Sequence, residues 1–132
     1  MKCISLNFQM PLSGIMEVIM HEISVCFEVV KSVEKIVEEN NLTEVETIVL
    51  EIGELSSIVP KYMDECFIVA VEGTIFENTK LEIEVIAGIG KCRSCGQVYQ
   101  LLKNNGYCPE CKEKNFEVIS GREFNIKEIV AC

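Results

Sequence analysis

The chain has 132 residues, 48% of them apolar, and 21 acidic side chains against 12 basic ones, for a formal net charge of −9. That length allows one domain, or one domain carrying a small metal-stapled unit. The acidity argues against a nucleic-acid grip, which draws much of its affinity from basic side chains on phosphates, and no stretch reaches the roughly 18 apolar residues of a membrane span.

Residues 1–19 show no clear periodicity. Asn7, Gln9 and Pro11 interrupt their apolar character, and one basic residue near the start with no small-x-small cleavage site does not make a secretory leader. Nothing in them docks on the rest; we expect an over-extended start with Met20 as the initiator, the alternative being a real, poorly ordered N-terminal extension, and a cytoplasmic protein.

From Ile23 to Asn40 the pattern is helical. Cys26, Val29, Val30, Val33, Ile36 and Val37 form one stripe, with Ser24 as the cap and Asn40 or Asn41 ending the helix in a left-handed conformation. Residues 44–53, E-V-E-T-I-V-L-E-I-G, are dense in β-branched side chains and read as a strand. Ile48, Leu50 and Ile52 point one way, and Val49 and Glu51 the other. A second helix enters through Ser56–Pro60, turns Tyr62, Met63, Cys66, Phe67 and Ala70 inward, and stops at Gly73. Residues 80–87 alternate as a half-buried strand. Gly88 and Gly90 are expected to hinge the chain into a module at residues 90–115. Phe116 to Ile119 is a short strand, and Glu123 to Val130 is a last one with Phe124 and Ile126 on one face. The closing strand is expected to rejoin the first sheet, which makes the module an insertion. The fold class is α+β: a small mixed sheet with two helices carrying an inserted metal ribbon. The boundaries expected are 20–89 plus 116–132 for the α/β domain and 90–115 for the ribbon.

The module carries the strongest chemistry. Cys92 and Cys95 form one C-x-x-C knuckle, and Cys108 and Cys111, after twelve intervening residues, form another. Two such knuckles can wrap one tetrahedral ion with four thiolates. Gly96 follows the first, where a positive φ is often needed, and Pro109 stiffens the second. Structural zinc is favoured. Four thiolates also suit a rubredoxin-like iron centre, whereas a catalytic zinc would need an open position that they do not leave. Paired knuckles are not the pattern of a secreted disulfide framework. Cys26 and Cys66, on inward stripes, read as small hydrophobes. Cys132 shows no partner.

Several stretches together resemble one family: M-H-E at 20–22, L-E-I-G-E-L-S at 50–56, E-G-T at 72–74, the two knuckles, and G-R-E-F-N-I-K-E-I at 121–129. In this order they are similar to the HypA/HybF family of nickel metallochaperones for [NiFe]-hydrogenase maturation, over residues 20–132. The resemblance implies nickel bound at Met20, His21 and Glu22 beside a zinc ribbon at Cys92, Cys95, Cys108 and Cys111. It implies Ni(II) as a transient cargo and Zn(II) as a structural ion. It also implies the nickel-handling GTPase HypB and the hydrogenase large-subunit precursor as partners, and admits a homodimer formed by exchange at the Gly88 and Gly90 hinges. Some family members place a histidine beside the knuckles; this chain does not.

The chemistry of the M-H-E segment agrees with that assignment. His21 is the only histidine. Where Met20 is the first residue, its α-amine, the His21 amide and the imidazole Nδ1 form two fused chelate rings, and the Glu22 amide completes four in-plane nitrogens. Ni(II) and Cu(II) favour that geometry. An α-amine with a pKa of about 8 sheds its proton at little cost near neutrality. Nineteen upstream residues, if kept, remove that amine. Glu22, Glu51 and Glu54 are candidate accessory carboxylates, although Glu51 and Glu54 read more simply as solvated side chains. No Ser/His/Asp set and no phosphate-binding glycine loop points to an enzyme. The rival from another class is a zinc-ribbon adaptor that carries no nickel.

Overall fold

The computed structural model describes residues 3–11 and 22–132, with side chains at 3–7 and from Ile23 onward. Helix α1 (Glu22–Glu39) forms where apolar side chains recur at helical spacing. Val25, Cys26, Val29, Val30, Val33, Ile36 and Val37 are all buried, so the expected stripe is the face turned to the core. Asn41 ends the helix with φ 53°, and the Asn40 side-chain amide donates to the Ile36 carbonyl at 2.8 Å. Ser24 is not the cap. It is the third residue of the helix, because the helical pattern extends back to Glu22.

A short link of residues 40–44 returns the chain as strand β2 (Val45–Gly53), and helix α2 (Pro60–Ala70) then crosses to strand β3 (Lys80–Ile86). The β2–β3 pair is parallel, with Leu50 opposite Ile83, and a parallel pair needs such a crossover. Ile48, Leu50 and Ile52 lie fully buried under the helices. On α2 the buried stripe is Met63, Phe67 and Ala70, with Pro60 in the first turn. Tyr62 departs from expectation. It precedes Met63 by about 100° on the helix, off that stripe, and is 49% exposed. Cys66, on its flank, is half-buried.

Strands β4 (Ile89–Cys92), β5 (Val98–Gln100) and β6 (Phe116–Ser120) form a second sheet in the order β5-β4-β6. Pairing of Gly90 with Val118 puts β6 in the ribbon's sheet, so that ladder runs on to Ser120. The last strand, β7 (Phe124–Ala131), returns to the first sheet antiparallel to β2, as expected, and buries Phe124, Ile126 and Ile129. The ribbon is therefore inserted between β3 and β7.

The two sheets meet at a crossing of backbone segments. The Gly53 amide donates to the Glu123 carbonyl and the Leu55 amide to the Gly121 carbonyl, each at 2.7 Å. The Gly88 amide donates to Glu54 Oε2 at 2.8 Å, and the Gly88 carbonyl accepts from the Leu101 amide at 2.9 Å. Gly88 and Gly90 are thus packed positions rather than open hinges. A Cβ on Gly88 would press on Leu55, and one on Gly90 would press on Leu101. The expected freedom is consumed by close approach.

The N-terminal stretch also departs from expectation. Strand β1 (Ile4–Pro11) docks antiparallel on the outer edge of β7, completing the order β1-β7-β2-β3. Ile4 lies opposite Ala131 and Leu6 opposite Ile129, with an irregularity between Asn7 and Met10. Leu6 packs against the core, and the Ser5 hydroxyl donates to Glu128 Oε1 at 2.7 Å. Alternation was hard to see in the sequence because an edge strand buries one face only in part. Cys132 likewise has a partner: it is disulfide-bonded to Cys3.

A Cβ on Gly53 would overlap the Gly121 carbonyl, which is backbone and cannot swing aside. Gly53→Ala should therefore destabilise the fold by about 2–3 kcal/mol. Gly90→Ala, which meets only the flexible Leu101 side chain, should cost less. Urea titration of the two variants beside the parent checks the order.

Candidate metal centre

Cys92 ends β4, and the chain folds back at once in a tight knuckle. The Gly96 amide donates to the Cys92 carbonyl at 2.9 Å, and the Cys92 amide to the Gln97 carbonyl at 2.8 Å. The second knuckle repeats the scheme. The Lys112 amide donates to the Cys108 carbonyl and the Cys108 amide to the Glu113 carbonyl, both at 2.9 Å. The residue after each knuckle needs a left-handed backbone: Gly96 has φ 80° and Lys112 has φ 64°. Glycine takes that conformation freely, whereas lysine is held there by the knuckle. The Lys112 ammonium donates to the Pro109 carbonyl at 2.8 Å across the turn. Sequence reasoning noted Gly96 and missed Lys112. Alignment of the two knuckles, C-x-x-C-G against C-x-x-C-K, was the available signal.

The knuckles bring four sulfurs together. Cys92 and Cys111 Sγ lie 3.5 Å apart, as do Cys95 and Cys108 Sγ, and all four ligand atoms fall within 4.8 Å of one another. Four thiolates about 2.3 Å from one tetrahedral ion stand roughly 3.8 Å apart, so the quartet has the dimensions of a metal site. Cys92 and Cys108 are buried, Cys111 is half-buried and Cys95 is exposed. Tyr99, Leu101, Leu55, Phe116 and Val118 pack around them. Tyr99 holds the loop between the knuckles by donating its hydroxyl to the Gly106 carbonyl at 2.8 Å. Burial, and then the negative charge of the neighbouring thiolates, raises the Tyr99 hydroxyl above its ordinary range.

The thiols divide their protons unequally. The Cys95 amide, with help from the Ser94 amide and the Cys111 and Cys95 thiols, outweighs burial and lowers Cys92 to about 6. At Cys111 the Glu113 amide acts to lower the pKa. Burial and hydrogen bonds with Cys92, Cys95 and Cys108 outweigh it and push this thiol up to about 12. Cys95 also rises: the Gln97 amide favours its thiolate, but burial and the Cys108 hydrogen bond prevail.

The other site residues fall elsewhere. Met20 and His21 lie outside the described residues, and of Glu22 only the backbone, which opens α1, is described. Just over one turn into α1, the Cys26 thiol donates to the Met63 carbonyl at 3.6 Å, in the first turn of α2. The two helices therefore start side by side, near the end of the sheet where β2 finishes. Glu54 is no free carboxylate, since it holds the Gly88 amide at the crossing. Glu51 lies on the outer face of the sheet near Lys127. That ammonium is raised chiefly by its 2.7 Å hydrogen bond to Glu84, with Glu51 and Glu128 adding to the effect. Gly121 and Glu123 were not singled out as site residues. The Gly121 amide donates to Glu123 Oε1 at 2.6 Å, and both residues build the crossing.

A family model described as "Hydrogenase/urease nickel incorporation, metallochaperone, hypA" matches residues 20–131. The chain belongs to the HypA family. It is 40% identical over 111 residues to the hydrogenase maturation factor HypA of Trichodesmium erythraeum, which covers 83% of this chain and 94% of that one. With the HypA of Geobacter sulfurreducens it shares 36% identity over 110 residues, covering 83% and 97%. The fold is also that of the solution structure of the Ni metallochaperone HypA from Helicobacter pylori. That likeness has a TM-score of 0.58 at 24% identity and covers 83% of this chain and 96% of that one. A second HypA solution structure gives a TM-score of 0.62, also at 24% identity, covering 86% and 97%. The family is one of metallochaperones for nickel incorporation, and the four-cysteine cluster suits metal binding. Among the described residues, no helix is long and apolar enough to cross a membrane. β1 and its Cys3 fall before the matched region, and Cys132 falls after it.

Metal binding to the quartet should displace at least the Cys95 and Cys111 protons, because both thiols are raised and hold their protons at neutral pH. Cys92, lowered to about 6, contributes a thiolate already formed. Affinity should therefore rise with pH by at least about a hundredfold per unit around pH 7, at least two protons leaving per ion. Chelator competition at several pH values, with proton release read by an indicator dye, checks the slope.

Proposed function

We propose that this protein captures Ni(II) at Met20–His21–Glu22 and delivers it for maturation of [NiFe]-hydrogenase, while the cysteine quartet holds Zn(II) permanently. The observation that carries the proposal is that the match to a nickel-incorporation family begins at Met20, the residue that opens the M-H-E segment. The two sites divide the metals by ligand class. Four thiolates close a tetrahedral shell and suit zinc in a structural role. Amine, amide and imidazole nitrogens suit square-planar Ni(II). A terminal chelator also passes its metal on by ligand exchange, which a closed cage resists. The α/β domain carries the nickel segment, and the ribbon of β4, β5 and β6 carries the zinc. The partners that fit this role are the nickel-handling GTPase HypB and the hydrogenase large-subunit precursor, met in the cytoplasm. The protein performs no catalysis of its own.

The proposal separates cleanly from a zinc-ribbon adaptor. His21→Ala should abolish stoichiometric Ni(II) binding in calorimetry and leave one zinc per chain by elemental analysis. Undiminished nickel affinity in that variant would overturn the assignment. Cys108→Ser should do the reverse, losing ribbon metal first. A chain beginning at Met20 should also bind nickel more tightly than the full chain, because only the former offers an α-amine at that residue.

A further inference from the structure

The ribbon's small core is only partly closed. Cys92, Tyr99, Leu101 and Cys108 are buried in it, whereas Leu55, Phe116 and Val118 pack against it and stay half-buried. Alternate side chains of a strand share a face, so Phe116 and Val118 stand together on β6. Beside them lies a groove of about 310 Å³, walled by Leu55, Leu101, Leu102, Phe116 and Val118. Leu102 is 57% exposed at its edge. The wall is set before anything binds. The Leu55 amide is held by the Gly121 carbonyl and the Leu101 amide by the Gly88 carbonyl, so little ordering remains to oppose an occupant. Ligand sites span about 300–1,000 Å³; a groove at the small end suits a bulky apolar side chain rather than a cofactor.

Charge defines the rest of the occupant. Among the described residues no acidic side chain lines the groove. Arg122 does line it, is exposed, and makes no ion pair or hydrogen bond through its guanidinium among those residues. The Lys114 stem crosses Gly106, another lining residue. Its Cε stands 2.9 Å from where a Cβ on that glycine would sit, and its ammonium lies 5.4 Å from the Tyr107 ring centre. Residues 89–122 carry six bases, Lys91, Arg93, Lys103, Lys112, Lys114 and Arg122, against three acids, Glu110, Glu113 and Glu117; the rest of the chain carries the other 18 acids and 6 bases. A divalent ion in four thiolates adds about −2, and the ribbon remains the cationic part of an acidic chain.

We propose that this groove docks an acidic segment of a partner protein, which seats one bulky apolar side chain against Leu55, Leu101 and Phe116 and lays its flanking carboxylates on Arg122 and Lys114. A second copy of the chain would offer Ile68 and Val69, both exposed on α2, beside Glu65 and Glu72. That contact joins two unlike surfaces and so propagates into open chains instead of closing, which leaves a different protein as the occupant. The docking residues all follow Met20, and the groove asks nothing of the nickel segment.

The test uses the full chain with Zn(II) bound. The probe is a fluorescein-labelled short peptide of Asp and Glu around a central Phe, titrated by anisotropy and mapped by amide chemical shifts. Shifts should centre on Leu102, Gly106, Val118 and Arg122. Affinity should fall at least about tenfold when the peptide's Phe becomes Gly, and again when its acids become Lys. Arg122→Glu should weaken the parent peptide by at least about tenfold, whereas Arg122→Lys should stay near the parent protein. The peptide comparison is made on the parent protein and does not depend on either variant folding. No binding of the Phe peptide, equal affinity for the Phe and Gly peptides, or shifts centred on another face would overturn the proposal. Self-association that Arg122→Glu abolishes would overturn it too, by giving the groove to a second copy.

Discussion

The close crossing of Gly53–Leu55, Gly88 and Gly121–Glu123 is the constraint on which the remainder of the structure rests. Three segments from different parts of the chain approach until only glycine fits, and their amides and carbonyls satisfy one another across the gap. Buried backbone groups must find such partners, so the crossing fixes both distance and angle between the four-stranded sheet and the ribbon. Glu54 and Glu123 serve it with carboxylates bound to main-chain amides, a stronger contact than a neutral hydrogen bond. The ribbon is therefore anchored at its root as well as drawn together by its own four cysteines.

The two kinds of metal ligand place different demands on the chain. The quartet comes from knuckles that repeat one hydrogen-bonding scheme, and its four sulfurs converge to within 4.8 Å. Such a site is prepared in advance, and the unequal sharing of its protons makes it responsive to pH. The proposed nickel segment needs little from the fold beyond attachment, because its nitrogens are neighbours along the backbone. It leads directly into α1, whose first turns pack on the start of α2, near the crossing that carries the ribbon. The start of α1 and the root of the ribbon thus lie toward one end of the sheet.

Much of this was legible in the sequence where a periodicity or a spacing stood for a physical demand. The α1 stripe, the alternation of β2, the knuckles and the return of β7 to the first sheet all followed from such patterns. The rest was hidden for identifiable reasons. Gly88 and Gly90 looked like hinges because glycine marks both free backbone and crowded backbone, and only the neighbours Leu55 and Leu101 distinguish the two. Glu54 looked solvated because its partner, Gly88, is distant in sequence. Tyr62 was drawn inward by its apolar ring, although it stands off the stripe that Met63, Phe67 and Ala70 define. The pairing of Cys3 with Cys132 joins positions 129 residues apart, and no local pattern carries that information.

The arm adds a constraint of its own. An exposed strand edge invites pairing with another chain, and proteins commonly cover it, twist it or charge it. Here β7 is covered by residues that precede the family match, and the opposite edge, β3, is guarded by Lys80, Glu82 and Glu84 along its length. With β1 docked, the edges of the sheet are β1 and β3, and β7 lies inside it. Charge acts at all times, whereas a strand protects only while it stays docked. β1 supplies that cover through its ladder to β7 and through Leu6, and the Cys3–Cys132 disulfide closes the same end of the pair.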